Sequence, residues 1–88
     1  MVTWQIVYTK QSLKDFKKIS QTPLKKNVKA LLDIMVMDPF KNPPPFKKLT
    51  GDLSGLYSRR INLQHRLVYQ LFPDSKVIQV ISMWTHYE

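Results

Sequence analysis

The chain reads as one α+β domain, with a two-helix hairpin packed on one face of a mainly antiparallel four-stranded sheet. Two observations predict this class. Apolar residues recur at helical spacing as far as Met35, and at a spacing of two from Leu56 to Trp84. The change of period falls at a proline-rich stretch, Pro43-Pro44-Pro45, so helices and strands are largely segregated along the chain. The 88 residues, 43% of them hydrophobic, suffice for one modest core spanning residues 1–88 and leave no second domain.

The elements follow in order. Residues 2–8 are short, apolar and β-rich around Trp4 to Tyr8, which predicts an opening strand. Thr9 or Ser12 can cap a helix, and Leu13, Phe16 and Ile19 fall at helical spacing as far as Ser20. Thr22-Pro23 starts a second helix, a capping hydroxyl followed by proline at the first helical position. Leu24, Val28, Leu31, Leu32 and Met35 form its apolar stripe, and Asp38-Pro39 ends it. Phe40 to Thr50 is predicted to be a loop, because three successive prolines stiffen it and exclude a central strand. Leu56–Ile61, His65–Phe72 and Val77–Trp84 are the remaining strands, separated by turns at 62–64 and 73–76.

Charge narrows the function. Fourteen Lys and Arg oppose six Asp and Glu, for a net charge of +8. A field of that size draws polyanions. Ten lysines lie in residues 1–48, whereas all three arginines, the side chains with bidentate phosphate geometry, lie between 59 and 66. No cysteine is present, which excludes a disulfide framework or a thiolate metal site. No leader pattern and no stretch near the roughly 20 apolar residues of a membrane span can be found. A soluble cytoplasmic protein with no membrane partner is expected.

Chemistry-bearing residues concentrate in two places. Gly51 to Tyr69, GDLSGLYSRRINLQHRLVY, interleaves Arg59, Arg60, His65 and Arg66 with apolar residues of predicted strands. His86-Tyr87 adds an imidazole and a phenol where a packed core needs neither. Together they suggest chemistry on RNA. Arg59 and Arg60 are adjacent in one strand and so point to opposite faces; one of them reaches a substrate on either face.

Leu53-Ser54-Gly55, Tyr57-Ser58-Arg59-Arg60-Ile61-Asn62, His65-Arg66-Leu67-Val68-Tyr69 and His86-Tyr87 resemble, in that order, the YoeB/Txe branch of the RelE superfamily. These are the toxins of bacterial type II toxin–antitoxin pairs. The resemblance implies the RelE-like β-α-α-β-β-β fold. It implies a metal-independent endoribonuclease, without cofactor, that cuts mRNA on the ribosome, and a cognate YefM/Axe-like antitoxin. It also admits a homodimer. In that chemistry the RNA's own 2′-OH attacks the adjacent phosphate. A base takes its proton, a cation neutralises the growing phosphoryl charge, and an acid protonates the departing 5′-oxygen. Arg66 matches the catalytic arginine, His86 the acid, and Tyr87 a group that stacks on a base or holds the phosphate. Lys48, Arg59, Arg60 and His65 are candidate RNA contacts, with a structural hydrogen-bonding role favoured for His65.

One departure stands out. Where the family carries a glutamate as general base, gapless counting back from Leu53-Ser54-Gly55 reaches Lys47, and the only glutamate is Glu88. Three readings stay open. Lys47 or Lys48 serves as the base; Lys47 only binds phosphate and cleavage is slow; or the chain is an inactive variant that still binds ribosome and antitoxin. A rival of another class is a ParE-like inhibitor of DNA gyrase that cuts no RNA.

Overall fold

The computed structural model describes residues 3–42, 45–49, 55–62 and 64–85, the side chains of residues 84 and 85 excepted. The elements are β1 (Gln5–Tyr8), α1 (Lys10–Ile19), α2 (Leu24–Met37), β2 (Phe46–Lys48), β3 (Leu56–Arg60), β4 (Arg66–Phe72) and β5 (Val77–Thr85). The strands form one sheet in the order β1-β5-β4-β3-β2. β1 runs parallel to β5, and every other pair is antiparallel.

The predicted class holds, and the strand count rises from four to five. The extra strand is β2, inside the stretch predicted to be a loop. It starts after Pro45, because a proline has no N–H to give to a ladder. It is three residues long and lies at the sheet edge, the one place a proline-flanked strand is tolerated.

Both helices start on threonine hydroxyls. Thr9 Oγ1 accepts from the Ser12 amide at 3.1 Å and donates to Ile81 O at 2.8 Å, so a single hydroxyl caps α1 and fastens it to β5. Thr22 Oγ1 accepts from the Leu24 amide at 3.1 Å, and Pro23 stands one residue before α2 rather than inside it. Asp38 ends α2 in extended backbone, and its carboxylate accepts from the Phe40 amide at 3.0 Å, which turns the chain towards the sheet.

The core lies between the helices and one sheet face. Ile19, Val28, Leu31 and Met35 pack there on Ile61, Leu67, Tyr69, Ile78, Val80 and Met83. The α2 stripe is as predicted, with Leu24 and Leu32 at its margin. The α1 stripe is only partly so, for Ile19 is buried and Phe16 packs on the core but Leu13 does not. Leu13 is 51% exposed, and the buried positions are Ser12, Asp15 and Ile19. The cause is on β5, whose pairing with β4 shifts register on both sides of Val68. Such irregularities leave ladder amides without strand partners. Asp15 reaches across to accept from the Met83 amide at 3.0 Å, and also accepts from Gln11 at 2.8 Å. A polar residue is therefore worth more than a leucine at that point of the helix.

Removing this acceptor has a definite expected cost. Asp15→Ala leaves the buried Met83 amide without its partner, which costs about 1–3 kcal/mol. Urea unfolding should show a lower midpoint at unchanged slope, with Asp15→Asn recovering most of the loss because it keeps an acceptor oxygen.

Candidate functional site

The sheet face away from the core gathers cationic side chains. Strand alternation sorts the residues. Lys47 on β2 stands opposite Ser58 on β3, and Arg60 on β3 stands opposite Arg66 on β4. Directly opposed residues project to the same side, as do residues two apart on one strand. Lys47, Ser58, Arg60 and Arg66 therefore share one face, and they line a cleft of about 260 Å³ with Pro45 and Phe46. Among the described residues, three of the six that line it are cationic and none is acidic. Lys47 and Arg60 are exposed and Arg66 is half-buried. Like charges gathered this closely repel one another, and a bound anion relieves that repulsion.

The other sequence candidates lie elsewhere. Lys48 pairs with Tyr57, so it projects towards the core side and is exposed at the sheet edge, away from Lys47. Arg59 is 1% exposed, so the expectation that it contacts RNA is corrected. Its guanidinium donates to Pro39 O at 2.7 Å and Lys41 O at 3.1 Å, and lies 5.0 Å from the centre of the Phe46 ring. Of the two neighbouring arginines, Arg60 is the one on the cleft. His65 is 9% exposed and ends the β3–β4 turn. Its carbonyl accepts from Ile61 N at 2.9 Å, and its amide donates to Asn62 Oδ1 at 2.7 Å. His86 and Tyr87 lie outside the described residues, as does the Gly51–Ser54 turn.

Sequence reasoning missed the way β2 is held. Phe40, Phe46 and Tyr57 form an edge-to-face cluster with centroids 6.0–6.3 Å apart, and Tyr57 stacks on Tyr69 at 5.8 Å. Arg59 is the cation of this cluster. The signal was present in the alternation of Tyr57 and Arg59 with Ser58 and Arg60, and only the partners of each face were invisible. A second concavity, of about 280 Å³, lies on the helix side between Tyr8, Leu13, Phe16, Lys25, Lys29 and Leu32. It is apolar with a lysine rim, and none of the sequence-predicted site residues lines it.

Burial pushes the Tyr69 phenol above its ordinary range, and the neighbouring Arg59 guanidinium opposes part of that rise. A phenol with a raised folded pKa stabilises the fold fully below the unfolded value of about 10, and that contribution is lost as pH rises through the folded value. Stability is therefore expected to fall in alkaline solution above pH ~10. Tyr69→Phe should flatten part of this fall in urea titrations, the remainder coming from Tyr8, which burial also raises.

A family model described as the YoeB-like toxin of bacterial type II toxin-antitoxin systems matches residues 8–87. Toxin YoeB of Streptomyces coelicolor is 37% identical over 76 residues, covering 84% of this chain and 90% of that protein. The YoeB/ParE toxin from Agrobacterium tumefaciens superposes with a TM-score of 0.86 at 28% identity, covering 94% of this chain and 99% of that one. A Staphylococcus aureus relative, 31% identical and covering 96% of this chain and 98% of its own, has been solved as a YoeB-YefM complex (TM-score 0.81) and as a YoeB dimer (TM-score 0.77).

Proposed function

Since the chain belongs to the YoeB-like toxins of bacterial type II toxin–antitoxin systems, we propose that it is a ribosome-dependent endoribonuclease acting on mRNA in the cytoplasm. The observation that carries this reading is the convergence of Lys47, Arg60 and Arg66 on one cleft, with no acidic lining residue among the described residues. RNA enters as a phosphodiester with its 2′-hydroxyl poised beside it. A base removes the hydroxyl proton, the 2′-oxygen bonds to phosphorus, and the bond to the 5′-oxygen breaks. A 2′,3′-cyclic phosphate and a 5′-hydroxyl result, and no metal or external water takes part.

Each residue has a task in this scheme. Arg66, half-buried in the cleft, neutralises charge as it grows on the phosphoryl oxygens. A guanidinium keeps its charge and grips two oxygens at once. Arg60, across the strand pair, holds the flanking backbone. By gapless counting Lys47 falls where the family carries its carboxylate; as an uncharged amine, with a lone pair, it receives the 2′-OH proton, whereas as an ammonium it binds phosphate. His86 supplies the proton to the leaving oxygen, an imidazole being able to do so near neutral pH, and Tyr87 steadies the nucleotide. Arg59 and His65 serve this site from behind, through the fold.

The partner follows from the family and the charge. A YefM/Axe-like antitoxin with an acidic segment complements a net charge of +8, and covering the cleft silences the toxin. The Staphylococcus aureus relative supports both this partner and self-association into a dimer.

The deciding experiment is cleavage of mRNA on programmed ribosomes by the purified chain. Cut mRNA supports the enzyme. A translation block with intact mRNA supports a dead binder, and inhibition of gyrase supercoiling in its place supports a ParE-like action. Arg66→Ala is expected to lower single-turnover cleavage roughly 10²–10³-fold while weakening ribosome binding much less, because its attraction grows towards the transition state. Equal losses in both would reduce Arg66 to a docking contact.

Lys47 gives a separate test. Lys47→Met is expected to lower cleavage by roughly 10² or more, the usual worth of a general base. Lys47→Glu should keep or raise it, since a carboxylate is ionised at pH 7. Should both variants cleave as the parent does, the base lies at another residue. Weakened ribosome binding in Lys47→Glu, with Lys47→Arg tolerated, would make the lysine a phosphate contact instead.

A further inference from the structure

Ser58 occupies the floor of the cationic cleft. It stands opposite Lys47 on one side and Val68 on the other, and two residues before Arg60 on the same face. Opposed β-carbons in such a sheet are about 4.5–5.5 Å apart, so the hydroxyl sits at the base of the Lys47, Arg60 and Arg66 side chains. Its residue is 1% exposed, and its Oγ has no hydrogen-bond partner among the described residues.

That combination is costly in the free protein. A buried hydroxyl without a partner destabilises the fold, and an alanine at the same place would not. The neighbouring row shows that a hydroxyl is not required for packing, since Val68, the next residue across the sheet, is fully buried without one. Ser58 is instead a lining residue of the space where Lys47, Arg60 and Arg66 attract an anion, its Oγ buried at the floor. A phosphoryl oxygen entering that space brings the missing acceptor, and a hydrogen bond from a hydroxyl to a charged oxygen is among the stronger kinds.

We propose that the Ser58 hydroxyl is a substrate contact that donates a hydrogen bond to a non-bridging oxygen of the phosphate held by Lys47, Arg60 and Arg66. This rests on the reading of the cleft as the RNA phosphate site. The serine supplies what the three cations lack, a short, rigid donor fixed by strand geometry. Long cationic side chains fix charge; the hydroxyl fixes the position of one oxygen and so the rotation of the phosphate about its own centre.

The test uses the purified chain and a short oligoribonucleotide whose 2′-oxygens are methylated, which binds without being cut. Affinity is read by fluorescence titration and thermal stability by unfolding without ligand. Ser58→Ala is expected to bind the probe roughly tenfold or more weakly, the fold-change of losing a hydrogen bond to a charged group, while its unfolding temperature stays level or rises. Ser58→Cys, close in size but a poor donor, should weaken binding in the same direction. Parent-like affinity in either variant overturns the proposal, and so does a loss of affinity accompanied by a fall in unfolding temperature. Arg66→Ala is measured beside them. If it weakens binding and the serine variants do not, the serine contact fails and the cleft stands. If it too leaves binding unchanged, the cleft itself is not the phosphate site.

Discussion

A guanidinium taken out of water loses most of its hydration, and Arg59 offsets part of that loss with groups from residues 39–46. Pro39 and Lys41 give carbonyl oxygens at 2.7 and 3.1 Å, and Phe46 gives the face of its ring. Tyr69 adjoins it from β4. The charge is therefore bound to the stretch between α2 and β2. Without that tie, a loop with three successive prolines has no ladder of its own to hold it near the sheet. With it, β2 is pinned three residues deep against β3, and Lys47 comes to rest opposite Ser58. Breaking one partner of such a buried charge is far more damaging than its modest net contribution suggests, because the other groups are left unsatisfied.

Two adjacent arginines thus do opposite things through strand alternation alone. Arg59 turns its guanidinium to the protein interior, and Arg60 keeps its own for what enters the cleft. The same rule divides Phe46 from Lys47 and Tyr57 from Ser58. The aromatic side of the edge strands is cohesive, and the cationic side is self-repelling. A site assembled from repelling cations and an unpartnered hydroxyl is destabilising in isolation, and the cohesive face behind it is what lets the fold carry that burden.

Much of this was legible beforehand. The class, both helices and four of the five strands follow from the sequence, β1 from its short apolar run and the rest from the two hydrophobic periods. Arg66 and Lys47 were placed in one site by a motif and a gapless count, and the sheet register brings them to one cleft. Three things were not legible. β2 is too short and too close to prolines for its period to register. The inward face of α1 is set by an amide on β5, a partner 68 residues away that no local pattern records. Which of Arg59 and Arg60 faces the core depends on where the helices pack, and alternation alone is symmetric between the two choices.

The parallel pairing of β1 with β5 joins groups as far apart in sequence as Thr9 and Ile81, 72 residues. β5 also lies between β1 and β4, so the sheet has no continuous middle until it is made. Contacts of that sequence separation close slowly, because the chain between them must first be gathered in. During synthesis at about 5–20 residues per second, β1 waits roughly 4–14 s for its neighbour to be polymerised. The β3–β4 hairpin, with its arginines, is complete at Phe72, thirteen residues before β5 ends, and so precedes it by roughly 0.7–2.6 s at the same rate. A growing chain therefore displays its charged ribbon while the sheet is still open, and translation itself sets the interval in which a partner can reach the molecule before the sheet is finished.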